Sequence, residues 1–293
     1  VNILLTGANG QVGFEARRAL SPLGRVHAVD RRTCDLADEV GLRRLVRDLK
    51  PDAIVNAAAY TAVDRAETEE ALAHAVNARA PRILAEEAEA LGALLVHYST
   101  DYVFDGRKEG FHAESDPPNP LGVYGHSKLS GERGVQDACT RHLIFRTSWV
   151  FGTHGANFAK TMLRLAGEKP SLRVVADQIG APTSAALIAD VTALALARAS
   201  NASFAAYGLY HLSAAGETSW HGYACHLIAQ ARRSGRGGLI ADDEIRPITT
   251  ADYPTPAMRP ANSRLDTTKL RRAFGITLPD WREGVDALIR NLD

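Results

Sequence analysis

The run Thr6-Gly7-Ala8-Asn9-Gly10-Gln11-Val12-Gly13 constrains this chain more than any other feature. It leaves a short apolar strand, Asn2-Ile3-Leu4-Leu5, and opens a helix expected over about residues 10–20. Glycines at these spacings allow a tight turn, close approach of the backbone to a pyrophosphate, and close packing of helix on strand. The helix N-terminus adds free N–H groups and a partial positive charge suited to phosphates. Three glycines alone also describe an ordinary turn. The strand before them and the helix after them are what point to a dinucleotide loop. Gly7, Asn9, Gly10, Gln11, Val12 and Gly13 are therefore candidate cofactor contacts.

The first half repeats this strand–helix alternation. Strands are expected at 26–30, 53–56, 94–98 and 143–146, and helices at 39–49, 68–91 and 124–137. Pro81 should kink or divide the helical stretch 68–91. Short apolar strands separated by helices predict a parallel sheet covered on both faces, a Rossmann-type doubly wound α/β fold. The second half is less regular. Helices are expected at 157–166, 185–199, 218–233 and 281–292, strands at 172–175 and 208–212, loops at 177–182 and 253–264, and a surface turn at 234–238. The expected division is a cofactor-binding domain over 1–152 and a smaller mixed α/β substrate part over 153–293, with the chain able to cross between them.

Bulk composition excludes several classes. The 293 residues carry 34 basic and 34 acidic side chains, so no basic excess advertises nucleic-acid binding. Cys34, Cys139 and Cys225 match no metal or disulfide spacing and are expected to be reduced thiols. With the first strand at residue 2 no signal peptide is expected, and no apolar run reaches the ~20 residues that span a bilayer. The expectation is a soluble cytoplasmic protein.

Asp30 ends the second strand, 17 residues after Gly13. A carboxylate there accepts hydrogen bonds from the adenosine ribose and favours NAD. Arg31 and Arg32 follow at once, and either guanidinium suits the 2′-phosphate of NADP. The choice between NADPH and NADH stays open, as does the reading of both arginines as solvated loop charges. Asp35-Leu36 is placed to bracket the adenine. Ala58, Ala59 and Tyr60 follow the third strand, at the strand ends where open α/β sheets bind ligands.

Ser99 and Thr100 follow the fourth strand, and Tyr124 and Lys128 stand four apart on a helix, facing the same way. Reduction of a ketone needs a proton donor beside the carbonyl oxygen. A tyrosine serves if a nearby ammonium draws its pKa of ~10 towards neutrality. Lys128 supplies that charge and can also hold the nicotinamide ribose, which makes Ser99, Tyr124 and Lys128 cofactor neighbours as well. The Thr100 hydroxyl can anchor the carbonyl oxygen. Taken alone, Tyr124 and Lys128 are also the surface residues of an amphipathic helix. The glycine loop and Ser99-Thr100 decide for the catalytic reading.

Beyond these groups the chain resembles the extended short-chain dehydrogenase/reductases, and among them the dTDP-4-dehydrorhamnose reductase family, over essentially its full length. The stretches that carry the resemblance are Asn2-Ile3-Leu4-Leu5-Thr6-Gly7, Val55-Asn56-Ala57-Ala58-Ala59-Tyr60-Thr61-Ala62-Val63-Asp64 and His97-Tyr98-Ser99-Thr100-Asp101-Tyr102-Val103-Phe104-Asp105-Gly106. With them go Phe145-Arg146-Thr147-Ser148-Trp149-Val150-Phe151, Asp177-Gln178-Ile179-Gly180-Ala181-Pro182-Thr183 and Arg259-Pro260-Ala261-Asn262-Ser263.

The resemblance implies reduction of the C4 ketone of dTDP-4-dehydro-L-rhamnose with NADPH or NADH, the last step of dTDP-L-rhamnose synthesis. It assigns Tyr124 as acid, Lys128 as its partner and Thr100 as carbonyl anchor. Asp101 would contact the sugar and Trp149 would stack on it, although a tryptophan there also reads as core. Thr61 and Val63 would line the same cleft. Arg259 would meet the pyrophosphate, or else form a structural salt bridge.

Some members hold Mg2+ with acidic side chains at a dimer contact. Glu15 is present here, but Ala186 stands where those members have an acid and the chain ends soon after its last helix. No metal site is expected, and the protein is expected as a monomer or homodimer. Two rivals remain. One is an NDP-sugar epimerase or 4,6-dehydratase of the same fold; a dehydratase would need an acid after Thr100-Asp101, where Tyr102 stands. A non-catalytic NADP-binding subunit, resembling the regulatory subunit of methionine adenosyltransferase, would keep the loop and relax the sugar pocket.

Overall fold

The computed structural model describes residues 1–201 and 203–292. Six strands form one all-parallel sheet: β1 (Asn2–Thr6), β2 (Arg25–Val29), β3 (Ala53–Asn56), β4 (Leu94–Thr100), β5 (His142–Thr147) and β6 (Gly208–His211). Their spatial order is β2-β1-β3-β4-β5-β6. The helices that cover them or build the second half are α1 (Gln11–Leu20), α2 (Glu39–Leu49), α3 (Ala80–Leu91), α4 (Val123–Ala138), α5 (Phe158–Glu168), α6 (Ala185–Ala199), α7 (Trp220–Arg233), α8 (Thr268–Phe274) and α9 (Trp281–Arg290).

Strand alternation sorts the apolar residues into two cores. Ile3, Leu5, Val55, Val96 and Phe145 pack against α1 and α6. Leu4, Ile54, Leu95 and Ile144 pack against α2 and α3. Both faces are buried, which is why the strands read as continuous apolar runs. Residues 185–199 and 208–211 from the second half thus belong physically to the main sheet: α6 packs beside α1, and β6 pairs with β5.

A second, smaller body gathers around buried Tyr223 and Trp281, with α5, α7 and α9 supplying its apolar faces. Residues 172–175 form a strand, as expected, but its parallel partner Ile245–Ile248 was not legible, nor was α8. The expected loop 177–182 contains a two-residue strand, Ile179–Gly180, antiparallel to Thr218–Ser219.

The stretch 68–91 divides, as Pro81 suggested. Glu70–His74 is helical, Ala75–Arg79 winds as a wider π turn, and α3 follows. Pro81 lacks the N–H that would close on the Asn77 carbonyl. Gly131 of α4 packs against that carbonyl so closely that a Cβ there would lie 2.1 Å from it. Among the described residues, no helix is long and apolar enough to cross a membrane.

Candidate active site

The strand order reverses direction between β1 and β3, so the loops after these strands diverge and leave a crevice at the carboxyl edge of the sheet. Gly7 (φ +69°) leaves β1 so close to the loop after β3 that a Cβ would lie 2.5 Å from the Ala58 nitrogen. At Gly13 a Cβ would meet the Gly7 carbonyl at 2.1 Å. The α1 N-terminus has no side-chain cap, which leaves its amides for a ligand. These residues fit a dinucleotide: the backbone is bare where a pyrophosphate must approach.

The crevice opens into a cleft of about 780 Å³. Its walls bring together Gly7, Asn9, Gly10, Gln11, Val12, Asp30, Arg31, Asp35, Leu36, Ala58, Ala59, Tyr60, Thr61, Val63, Ser99, Thr100, Asp101, Tyr124, Lys128 and Trp149. Gly13 lies beneath, as a packing residue of the loop, and Arg259 lies outside the wall. Leu72, Val76, Gly155, Ala156, Asn157 and Trp220 also line the cleft. No local motif announces them. Asn157 does carry a signal, as the N-cap of α5, and its amide also donates to Gln11 Oε1 (2.9 Å), tying the second half to the glycine loop.

Just after β2, Asp30 is crowded with donors. Asn9 Nδ2 donates to its Oδ2 (2.8 Å), and the Arg32 and Thr33 amides donate to its Oδ1 (3.0 and 3.1 Å). The Thr33 amide above all, with the Thr33 hydroxyl and Arg32, holds its carboxyl below the ordinary value against an opposing effect of burial. Arg31 pairs with Asp35 (3.3 Å) and Arg32 with Asp30 (3.3 Å).

Tyr60 is held from behind. Its amide donates to Asn77 Oδ1 (2.8 Å), and Asn77 Nδ2 donates back to the Tyr60 carbonyl (2.9 Å) and to Ser127 Oγ of α4 (3.1 Å). Sequence reasoning missed Asn77, whose place in the π turn lets one amide link the β3 loop to α4.

Thr100 closes β4 and stands beside Tyr124 and Lys128 of α4. Its hydroxyl donates to Asp101 Oδ1 (3.0 Å) and accepts from the Tyr102 amide (3.2 Å). Burial pushes the Tyr124 phenol up to about 12, opposed by the Thr100 hydroxyl. Lys128 Nζ donates to the Tyr98 carbonyl (2.6 Å). Burial brings the ammonium down to about 8, with Glu132 one turn further along α4 working against that. Desolvation dominates the phenol, and the ammonium is engaged with a backbone carbonyl.

Glu132 in turn forms a buried bidentate pair with Arg146 of β5 (2.8 and 2.6 Å). Asp101 is buried, its carboxyl pushed up to about 6 against the Ser263 and Thr100 hydroxyls. Its Oδ2 has no hydrogen-bond partner among the described residues.

Across the cleft, Trp149 adopts a left-handed backbone (φ 50°) and stacks on Trp220 with ring centroids 3.7 Å apart. Arg259 makes a two-pronged pair with Asp64 (2.9 and 2.8 Å). That arrangement matches the salt-bridge alternative. Glu15 and Asp190 of α6 both engage Arg18 (3.6 and 2.8 Å). Asp190 is thus an acid on the helix where Ala186 drew attention. Among the described residues, no cluster of three or more potential metal ligands occurs.

Comparison with known proteins adds a consistent result. The family model described as RmlD substrate binding domain matches residues 1–293. The chain is 50% identical to the dTDP-4-dehydrorhamnose reductase of Burkholderia thailandensis over 295 residues, covering 100% of this chain and 99% of that protein. It is 49% identical to the enzyme of the same name from Salmonella typhimurium over 296 residues, covering 100% and 98%. Among solved structures, the dTDP-4-dehydrorhamnose reductase of Bacillus anthracis in complex with NADP superposes with a TM-score of 0.90 at 33% identity, covering 99% of this chain and 98% of that one.

Proposed function

From the premise that the chain belongs to the dTDP-4-dehydrorhamnose reductase family, we propose that it reduces the C4 ketone of dTDP-4-dehydro-L-rhamnose to dTDP-L-rhamnose, using NADPH or NADH. The observation that carries this reading is the convergence of Thr100, Tyr124 and Lys128 on one cleft that begins at the glycine loop. The nicotinamide cofactor, when bound, supplies the hydride. Gly7, Gly10 and the first turn of α1 would hold its pyrophosphate, and Asp30 or Arg31 its adenosine end.

In this proposal Thr100 positions the carbonyl oxygen and Tyr124 delivers the proton to it. A phenol held near 12 is protonated at neutral pH, the state a proton donor needs. Lys128 offsets the phenolate left behind. Its ammonium, at about 8, is charged at neutral pH. Asp101, Thr61, Val63 and Trp149 form the sugar side. Arg259 is the candidate for the pyrophosphate of the substrate.

Residues 1–152 would form the cofactor side and 153–293 mainly the sugar-nucleotide side, with α6 and β6 returning to the main sheet. A cytoplasmic monomer or homodimer belongs to the same proposal. The test is loss of NADPH absorbance at 340 nm with dTDP-4-dehydro-L-rhamnose generated in situ, with NADH in parallel. Sugar-dependent turnover is expected. Cofactor binding without turnover would transfer the case to the non-catalytic subunit.

A further inference from the structure

The sugar wall of the cleft contains an aromatic arrangement that motifs do not describe. Trp149, at the end of the turn after β5, holds a backbone conformation that L-residues seldom adopt (φ 50°). A non-glycine residue keeps such a conformation only when its surroundings over-determine it, and such residues cluster at functional sites. Two contacts do so here. Trp220, the first residue of α7, lies parallel to the indole, with centroids 3.7 Å apart and planes inclined by 14°. Gly180 approaches from the short strand of residues 179–180, where a Cβ would sit 2.7 Å from Trp149 Cε2.

Trp220 is itself fixed. Its Nε1 donates to Gln178 Oε1 (3.1 Å), and Gln178 Nε2 donates to Thr250 Oγ1 (3.1 Å). The Thr250 hydroxyl and amide donate to Asp177 (2.7 and 2.9 Å). Phe158 of α5 packs on the far body of Trp220, with centroids 4.6 Å apart. Both indoles are partly exposed and both line the cleft. The Gln178–Thr250–Asp177 chain explains why a side chain as polar as Gln178 is 8% exposed: its amide is satisfied at both ends.

We infer that Trp220 and Gln178 are positioning residues that set the plane of the Trp149 indole against which the deoxysugar face is held. The inference rests on the proposed function for the identity of the sugar. The ligand feature it recognises is an apolar C–H face of a deoxyhexose, which an indole plane meets well and a flexible side chain does not. A one-ångström displacement of a positioning surface is enough to cost a hundredfold, so the support of the platform matters as well as the platform.

The experiment compares steady-state kinetics of wild type, Trp220→Leu, Trp220→Phe and Gln178→Leu with dTDP-4-dehydro-L-rhamnose. NADPH affinity is followed by fluorescence, and circular dichroism follows the coupled signal of the two stacked indoles. Trp220→Leu is expected to raise KM for the sugar about tenfold, leave the NADPH dissociation constant within twofold, and abolish the coupled signal. Trp220→Phe should recover most of the KM, because a ring still backs the indole. Gln178→Leu, the milder change should Trp220→Leu fail to fold, should weaken the coupled signal and raise KM severalfold.

An unchanged sugar KM in Trp220→Leu or Gln178→Leu overturns the inference. So does a parallel loss of NADPH affinity, which would mean a general collapse of the cleft. Absence of turnover by the wild type overturns the functional reading and removes this inference with it, a result that no variant is needed to recognise.

Discussion

On the sheet side of the cleft, the groups proposed to react ride on regular elements. Thr100 is the last residue of β4, and Tyr124 and Lys128 sit on adjacent turns of α4, locked by the Lys128–Tyr98 bond and the Glu132–Arg146 pair. On the opposite side, Trp149 comes from a strained turn, Trp220 from a helix start and Gln178 from a loop, and each is held by partners distant in the chain. The first wall is rigid because the sheet and helix fix it. The second is built by individual side-chain pairs. Damage to the first should appear in the chemical step, and damage to the second in substrate affinity.

The sharpest way to break this comparison is Tyr124→Phe. Removing a general acid typically costs 10²–10⁴ in rate, and turnover is expected to fall roughly a thousandfold, in keeping with that range. Cofactor binding measured by fluorescence should persist, since the phenylalanine ring keeps the packing of Tyr124 in the cleft wall and the glycine loop is untouched. Near-normal single-turnover reduction would remove Tyr124 from the acid's place.

The next effect tests the frame of the same wall. Glu132→Gln leaves the Arg146 guanidinium buried without its counter-charge, and such a loss costs about 3–5 kcal/mol. Replacing both partners by apolar residues, as in Glu132→Leu with Arg146→Met, should recover most of it. Chemical denaturation of the three proteins gives the answer. Equal destabilisation by the single and double variants would show that the packing volume, not the charge, holds α4 to β5.

The two walls also differ in how far the sequence announces them. Gly7, Gly10 and Gly13, Ser99-Thr100 and Tyr124/Lys128 were legible because strand ends and helix turns convert short spacings into proximity. The all-parallel sheet followed from the same periodicity. Trp220, Gln178 and Asn77 were not legible. Trp220 meets Trp149 across 71 positions of sequence, and Asn77 meets Tyr60 across 17, through side-chain contacts that no local pattern encodes. β6 was foreseen as a strand, but its seat beside β5 depends on a crossover through the second half. Arg259 shows the same limit. It was read as a pyrophosphate contact or a salt bridge, and its partner in the structure, Asp64, lies 195 positions away.

Thr100→Val should produce a smaller loss than Tyr124→Phe. In the proposed mechanism the hydroxyl positions the carbonyl and polarises it but is not the proton source. Removing one such donor costs about a hundredfold in kcat. The expected signature is a fall in kcat with an unchanged pH profile. A loss as deep as that of Tyr124→Phe would make Thr100 part of the proton path and erase the distinction between anchor and acid.

The smallest effect is the one that joins the two walls. Asp101 follows Thr100 on the sheet side but is assigned to the sugar, and burial pushes its carboxyl up to about 6. A raised carboxyl is protonated below that value and ionised above it, so at neutral pH it is able to accept hydrogen bonds from sugar hydroxyls, as the proposal requires. As pH falls through 6 this acceptor is lost, and KM for the sugar should rise about tenfold per unit at most. Lys128 and Tyr124 stay protonated throughout that window, so kcat at saturating sugar should stay nearly flat. Asp101→Asn removes the titration and should give a raised, pH-independent KM between 5 and 7. If the acid limb survives in Asp101→Asn, the titrating group lies elsewhere. If the limb appears in kcat rather than KM, Asp101 belongs functionally to the sheet wall, and the assignment of chemistry to one side and affinity to the other has to be redrawn at this residue.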